Sequence, residues 1–139
     1  MNSIIKIQIN NLEVIIPEDF QKLSNKFTEG LHLSIDTETF NKIVEYGNFY
    51  LSLTDEMQKL LLTPQIIFEK QSEIQNSENL SESIKSIIHN LDLTKLLDLL
   101  DHASKLEITS LVEICAYEIA KIIKGKTTDE IRILFNIND

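Results

Sequence analysis

Residues 93–137 read LTKLLDLLDHASKLEITSLVEICAYEIAKIIKGKTTDEIRILFNI, and their apolar positions recur at helical rather than strand spacing. Leu96, Leu97, Leu100 and Ala103 form one stripe, started by Asp92 or Thr94 as N-cap. Leu111, Ile114, Cys115, Ile119, Ile122 and Ile123 form a longer one. Gly125 follows where a left-handed C-terminal cap belongs, with Lys121 and Lys124 near the negative end of the helix. Thr127-x-x-Glu130 then has the form of a capping box for a last short helix carrying Ile131, Leu134 and Phe135. Upstream, Ile84, Ile87 and Ile88 make a further short stripe, so the chain from Leu80 onward is a run of helices.

The N-terminal part has a different period. Ile5, Ile7 and Ile9 alternate with Lys6, Gln8 and Asn10, and Leu12, Val14 and Ile16 form a second alternating set. Asn10-Asn11 between them tolerates positive φ, so residues 4–16 read as a hairpin. Pro17, followed by Glu18 and Asp19, suits the start of a helix that turns Phe20, Leu23 and Phe27 inward and ends near Gly30. Leu31, Leu33 and Ile35 give a third short strand, and Asp36 caps a helix with Phe40, Ile43, Val44 and Phe49 on its apolar side. Residues 51–83, with Pro64 and the polar run EKQSEIQNSENLSES, lack periodicity and read as a loop or insertion. The expected organisation is an N-terminal sheet with helices over 1–50, a variable segment over 51–83 and a helical half over 84–139. The fold class is α/β (α+β), a small three-stranded sheet with about six helices.

Composition narrows the function. Leu, Ile, Val and Phe make up 50 of the 139 residues, enough for a single core. Gly (3) and Pro (2) are scarce, which disfavours a turn-rich sandwich or barrel. The net charge is −9 and Arg132 is the sole arginine, so the chain would repel a phosphate backbone and no nucleic-acid partner is expected. A single cysteine, Cys115, rules out an internal disulfide framework and a cysteine-based zinc site. No apolar run approaches the ~20 residues of a membrane span, and the alternating N-terminus is unlike a signal peptide. The expected setting is the cytoplasm, the nucleus or both, away from membranes.

No catalytic constellation assembles along the chain. Lys124-Gly125-Lys126-Thr127 resembles the end of a phosphate-binding loop, but Ala120 stands where the first glycine is required and a helix precedes it instead of a strand. Asp98 and His102, four residues apart, suit a surface helix pair better than half a metal site. Cys115 falls on an apolar helical face with no neighbouring base. We therefore expect no enzyme activity, no metal and no cofactor.

The segment Leu93–Ile137 closely resembles the C-terminal half of the S-phase-kinase-associated protein one family, adaptors of BTB/POZ fold that link a cullin scaffold to F-box substrate receptors. The most specific matches are Ile123-Lys-Gly-Lys-Thr127, Glu130-Ile-Arg132 and Phe135-Asn-Ile137, against a family pattern of IKGKTPEEIR followed by FNI. Leu106-Glu-Ile108, Leu111 and Val112 match a second family piece. Ile4–Gln8 and Leu31–Tyr50 are similar to the family's opening strand and to its third strand and helix. Three features depart from the pattern. The family continues past FNI with two helices that help clamp the F-box, whereas this sequence ends at Asp139, partway toward the shorter elongin C type. Ser104-Lys105 replaces an Asn-Tyr pair at the cullin-facing junction, and Thr128 replaces a proline.

The resemblance implies a non-catalytic adaptor of an SCF-type E3 ubiquitin ligase, with a cullin N-terminal region and F-box proteins as partners. It places the cullin face at Asn41, Glu45, Ser104 and Lys105. It places the F-box face at Ile119, Ile122, Ile123, Ile131, Leu134, Phe135 and Ile137. The residues themselves leave open whether the last four of these pack back on the preceding helix or stay uncovered for a partner. The alternatives are a self-associating BTB scaffold, which includes a weak homodimer, and a truncated decoy or elongin-C-like adaptor that binds one partner only.

Overall fold

The computed structural model describes residues 3–69 and 77–134 of the chain. Strands β1 (Ile4–Ile9) and β2 (Leu12–Pro17) pair antiparallel, with Ile5 opposite Ile16 and Ile7 opposite Val14 on the inner face. Asn10 and Asn11 take φ values of 52° and 72°, both positive, as a two-residue turn of this twist requires. The Asn10 side chain does more than turn the chain. Its amide accepts from Ile35 N–H at 3.0 Å and donates to the Ile35 carbonyl. That clamp fixes the exit of β3 (His32–Leu33), which runs parallel to β1 and completes a mixed sheet of order β2-β1-β3. The third strand is thus two residues long, with Ile35 buried just beyond it.

The helix expected from Pro17 to Gly30 is instead a 3-10 turn over Glu18–Lys22, followed by irregular chain. Ser24 is the cause. Its hydroxyl donates to the Leu106 carbonyl and accepts from Lys26 N–H at 3.1 Å, a local alternative that competes with helical bonding. The inward residues survive the change: Phe20, Leu23 and Phe27 are buried, and the two phenylalanine rings meet edge to face at 5.6 Å.

Helix α1 (Thr37–Leu51) starts at Asp36, whose carboxylate accepts from Thr39 N–H at 3.1 Å and from the Thr39 hydroxyl at 2.6 Å. These bonds to Thr39 hold the Asp36 carboxyl below its ordinary 3.8. A depressed folded-state value means the cap contributes above that ordinary value and fades as pH falls below it. We expect Asp36→Ala to cost about 1 kcal/mol at pH 7. The gap between the melting temperatures of wild type and variant should narrow below pH 4, whereas Asp36→Asn should keep most of the cap at either pH.

The expectation of a loop over 51–83 is corrected by α2 (Asp55–Leu60) and α3 (Pro64–Glu69). Thr54 caps α2 through Met57 N–H at 3.3 Å. Pro64 stands at the first position of α3, where its missing N–H costs nothing. Helix α4 (Ser77–Ile88) also begins inside that stretch, while residues 70–76 of it lie outside the described chain. Helices α5 (Leu93–Lys105), α6 (Thr109–Ile123) and α7 (Thr128–Leu134) follow the expected stripes. Asp92, rather than Thr94, caps α5 through Lys95 N–H at 2.9 Å.

One core joins the inner sheet face to the helices, with Ile7, Phe20, Phe27, Ile43, Leu61, Ile67, Leu111 and Cys115 wholly buried in it. Tyr46 ties α1 to α6 through a hydrogen bond between its hydroxyl and that of Ser110, at 2.5 Å. Seven α-helices on a three-stranded sheet among the described residues give the α/β class that the sequence indicates, with one helix more than the six expected.

Candidate functional site: two docking faces

Asn41 and Glu45 lie exposed on α1, at the turns between Phe40, Ile43 and Tyr46, which face the core. Ser104 and Lys105 lie exposed at the C-terminal end of α5. The two helices pack on each other, and Lys95 of α5 meets Glu38 of α1 at 3.0 Å. Within their own helices, Glu45 pairs with Lys42 at 3.5 Å and Lys105 with Asp101 at 3.0 Å. All four candidates are therefore open to solvent, and the ion pairs among them are surface pairs that a partner can displace at small cost. Beyond Lys105 the chain turns sharply at Glu107, a non-glycine residue at φ 57°, whose carboxylate reaches Lys26 at 3.4 Å.

The second set of candidates divides. Ile119 is 9% exposed and belongs to the core, so it is not available to a partner. Ile122, Ile123, Ile131 and Leu134 are half-buried, and Ile122 and Leu134 pack against the core. Phe135 and Ile137 lie outside the described residues. Among the described residues of that set, Leu134 packs against the core and Ile131 is half-buried, while Ile133 beside them is 76% exposed. Sequence reasoning passed over Ile133 because it falls off the Ile131–Leu134 stripe. The available signal was a large aliphatic residue on the opposite side of a short polar helix.

The entry to α7 is fixed by its own residues. Gly125 sits at φ 78° directly after α6, with Lys126 N–H donating to the Ile123 carbonyl at 3.1 Å. The glycine is a helix exit, which accounts for it without any phosphate. Thr127 Oγ1 then accepts from Glu130 N–H at 3.2 Å while Glu130 Oε1 accepts from Thr127 N–H at 3.4 Å, the reciprocal capping box. On the outward side of α6, Tyr117 stacks on Phe68 of α3 at 5.5 Å and donates to Glu69 at 2.9 Å, with Lys121 over both rings.

The chemistry is that of surfaces. Among the described residues, no group of three or more His, Cys, Asp or Glu is placed to hold a metal ion, and no helix is long and apolar enough to cross a membrane. Cys115 is wholly buried between core residues, and burial pushes its thiol up to about 12. A raised folded-state value means that stability is full below the ordinary 9.0 and is lost as pH rises toward 12. Burial raises the Tyr46 phenol as well, so both groups act in the same direction. Unfolding free energy should hold level through neutral pH and then fall above pH 9 by about 1.4 kcal/mol per pH unit for Cys115 alone. Urea titrations of wild type and Cys115→Ala at several alkaline pH values check this: the variant should start lower and fall less steeply.

Residues 109–139 match the Skp1 family, dimerisation domain. The match spans 31 of the 139 residues and says what this segment is similar to. The Skp1 match begins at the first residue of α6, runs through the Gly125 exit and the capping box, and takes in α7. It coincides with the stretch whose IKGKT, EIR and FNI pieces suggest the same family in the sequence. No curated protein matches the chain at a significant level. The description of the matched family, a dimerisation domain, is that of a protein–protein contact.

Proposed function

We propose that this chain is a non-catalytic adaptor of an SCF-type E3 ubiquitin ligase, bridging a cullin N-terminal region to F-box substrate receptors. The observation that carries the reading is the Skp1 match over residues 109–139. The described surfaces agree with what such an adaptor needs. One exposed polar face lies on α1 and the end of α5, at Asn41, Glu45, Ser104 and Lys105. Apart from it lie the half-buried Ile122, Ile123, Ile131 and Leu134, and the exposed Ile133 on the other side of α7. Residues 1–50 and 84–139 would form the adaptor body, with 51–83 as its variable segment, working in the cytoplasm, the nucleus or both.

Bridging would act through proximity. A receptor held beside the ligase converts a bimolecular encounter into one with an effective concentration on the order of millimolar, without any reacting group on the adaptor. The test is co-purification of the full chain with a cullin N-terminal region and, separately, with an F-box peptide, followed by a three-component mixture. Binding of both, together with a ternary complex, supports the bridging adaptor. Binding of one partner only indicates an elongin-C-like adaptor or a decoy. Binding of neither overturns the proposal.

A further inference from the structure

Three clefts on the described surface carry the sign of the whole chain, whose net charge is −9. One beside α2 sets Asp55 and Glu107 against Lys59, one beside the 3-10 turn holds Glu18 and Asp19, and one beside α3 holds Glu113. A fourth, of about 250 Å³ between α4, α5 and α6, reverses that sign. Its rim sets Lys85, His89 and Lys121 against a single carboxylate, Glu118. Its floor is apolar, with Leu91 and Ile122 half-buried above the buried Ile88 and Leu96.

Three helices bring the cations together. Lys85 and His89 are one turn apart at the end of α4, where His89 N–H donates to the Lys85 carbonyl at 2.7 Å, so both side chains leave the same face. Lys121 comes from α6. The Nζ atoms of Lys85 and Lys121 each stand 5.8 Å from the centre of the Phe68 ring of α3. Both lysines occupy the last turn of a helix, where the negative helix end favours a cation, and the ring face adds a further attraction. These terms hold two like charges against one ring. Lys121 also meets Glu118 at 3.4 Å, while Glu69, next to Phe68 in the chain, accepts from Tyr117. Lys85 has no carboxylate partner among the described residues, and both lysines are exposed.

We propose that this cleft binds an acidic peptide segment of a partner protein. An aliphatic side chain of the segment sits on Leu91 and Ile122, and its flanking carboxylates meet Lys85, His89 and Lys121. Complementarity of charge and of floor sets this class. A bare phosphate would use the rim and leave the floor uncovered. A wholly apolar segment would cover the floor and leave the lysines without a counter-charge. An acidic segment with an aliphatic residue uses both. The charge of the remaining surface does not forbid it, because at 0.15 M salt charges beyond about 8 Å are largely screened. The segment therefore meets the cleft rather than the net charge. The pair between Glu118 and Lys121 is a surface pair, so an incoming carboxylate displaces it at small cost. The cleft takes in Ile122 but no residue of α7, and the inference does not depend on the adaptor reading.

Amide chemical shifts of the isotope-labelled full chain test it, with the end-blocked peptide Glu-Glu-Leu-Leu-Glu-Glu as probe. The expected result is saturable shifts centred on Lys85, His89, Lys121 and Ile122, with a Kd of about 1 mM or below. The glutamine counterpart of the peptide should bind about fivefold more weakly or worse, and the lysine counterpart should not bind. Lys85→Glu and Lys121→Gln replace exposed side chains, so their melting temperatures should match wild type. Each should weaken the acidic peptide by about threefold or more. Lys59→Glu, in the cleft beside α2, should leave it unchanged. Absence of saturable shifts up to about 5 mM peptide overturns the proposal. So does equal binding of the glutamine peptide, or undiminished binding by both cleft variants. Inorganic phosphate giving the same shifts at the same concentration also overturns it, in favour of a small-anion site.

Discussion

Alanine in place of Phe20 should lower the unfolding free energy by about 3–5 kcal/mol, the largest stability effect expected of a single substitution here. Phe20 is wholly buried between the sheet and α1, its ring edge against Phe27. It also faces Gly47, the one residue of α1 without a side chain at the point where that helix crosses the 3-10 turn. A β-carbon at Gly47 would stand 2.7 Å from two atoms of the Phe20 ring and 3.3 Å from Leu23. The two positions are therefore one packing unit, and the glycine is the counterpart of the ring. Gly47→Ala alone should destabilise, because overpacking costs about 1–3 kcal/mol and exceeds the ~1 kcal/mol of helix propensity that alanine gains. In the Phe20→Ala background the sign should reverse, since the clashing ring is gone and the propensity gain remains. Urea titrations of the four proteins form a double-mutant cycle that reads this coupling directly. A Gly47→Ala protein as stable as wild type would show that the ring is free to move aside, contrary to its burial.

The hairpin and the C-terminal helices were readable in the sequence because each rests on local chemistry. Alternation set the strands, Asn10-Asn11 the turn, and Asp36, Gly125 and Thr127 the helix ends; each of these residues does in the structure what its type does locally. What was missed depends on partners far along the chain. The helix after Pro17 is broken by Ser24 reaching Leu106, a contact across 82 positions that no window of sequence contains. α2 and α3 were passed over because Pro64 reads as a breaker unless it is known to begin a helix, and because Leu61 and Ile67 find cover only in the assembled core. The candidate faces divide along the same line. Exposure of Asn41 and Glu45 follows from the stripe they fall outside, whereas their assignment to a cullin face rests on family resemblance alone. Ile119 looked eligible for a partner because the stripe lists it beside Ile122, but the stripe cannot say how much of it the core takes up.

If the chain binds F-box receptors as proposed, lysine in place of Ile133 should leave folding intact and weaken that binding by about 30-fold or more, the loss expected when a charge enters the centre of an apolar contact. The side chain is 76% exposed, and substitutions at such positions usually change stability by less than about 0.5 kcal/mol. Loss of binding without loss of stability therefore assigns the effect to the surface. Leu134→Ala serves as the contrast: its side chain is half-buried against the core, so it should lower stability and affinity together. Lys105→Glu serves as the control from the other face. It should leave the F-box affinity unchanged and alter cullin association by a few-fold through its rate, as a solvent-exposed rim charge does. Titration calorimetry with an F-box peptide and with a cullin N-terminal region separates the three. If Ile133→Lys binds the F-box peptide as wild type does, the exposed side of α7 is not the receptor contact. An F-box receptor, if bound at all, must then be held elsewhere, through the half-buried Ile122 and Ile123 or through residues beyond 134. If Lys105→Glu abolishes F-box binding as well, the two faces are one surface, and a chain with one surface cannot bridge.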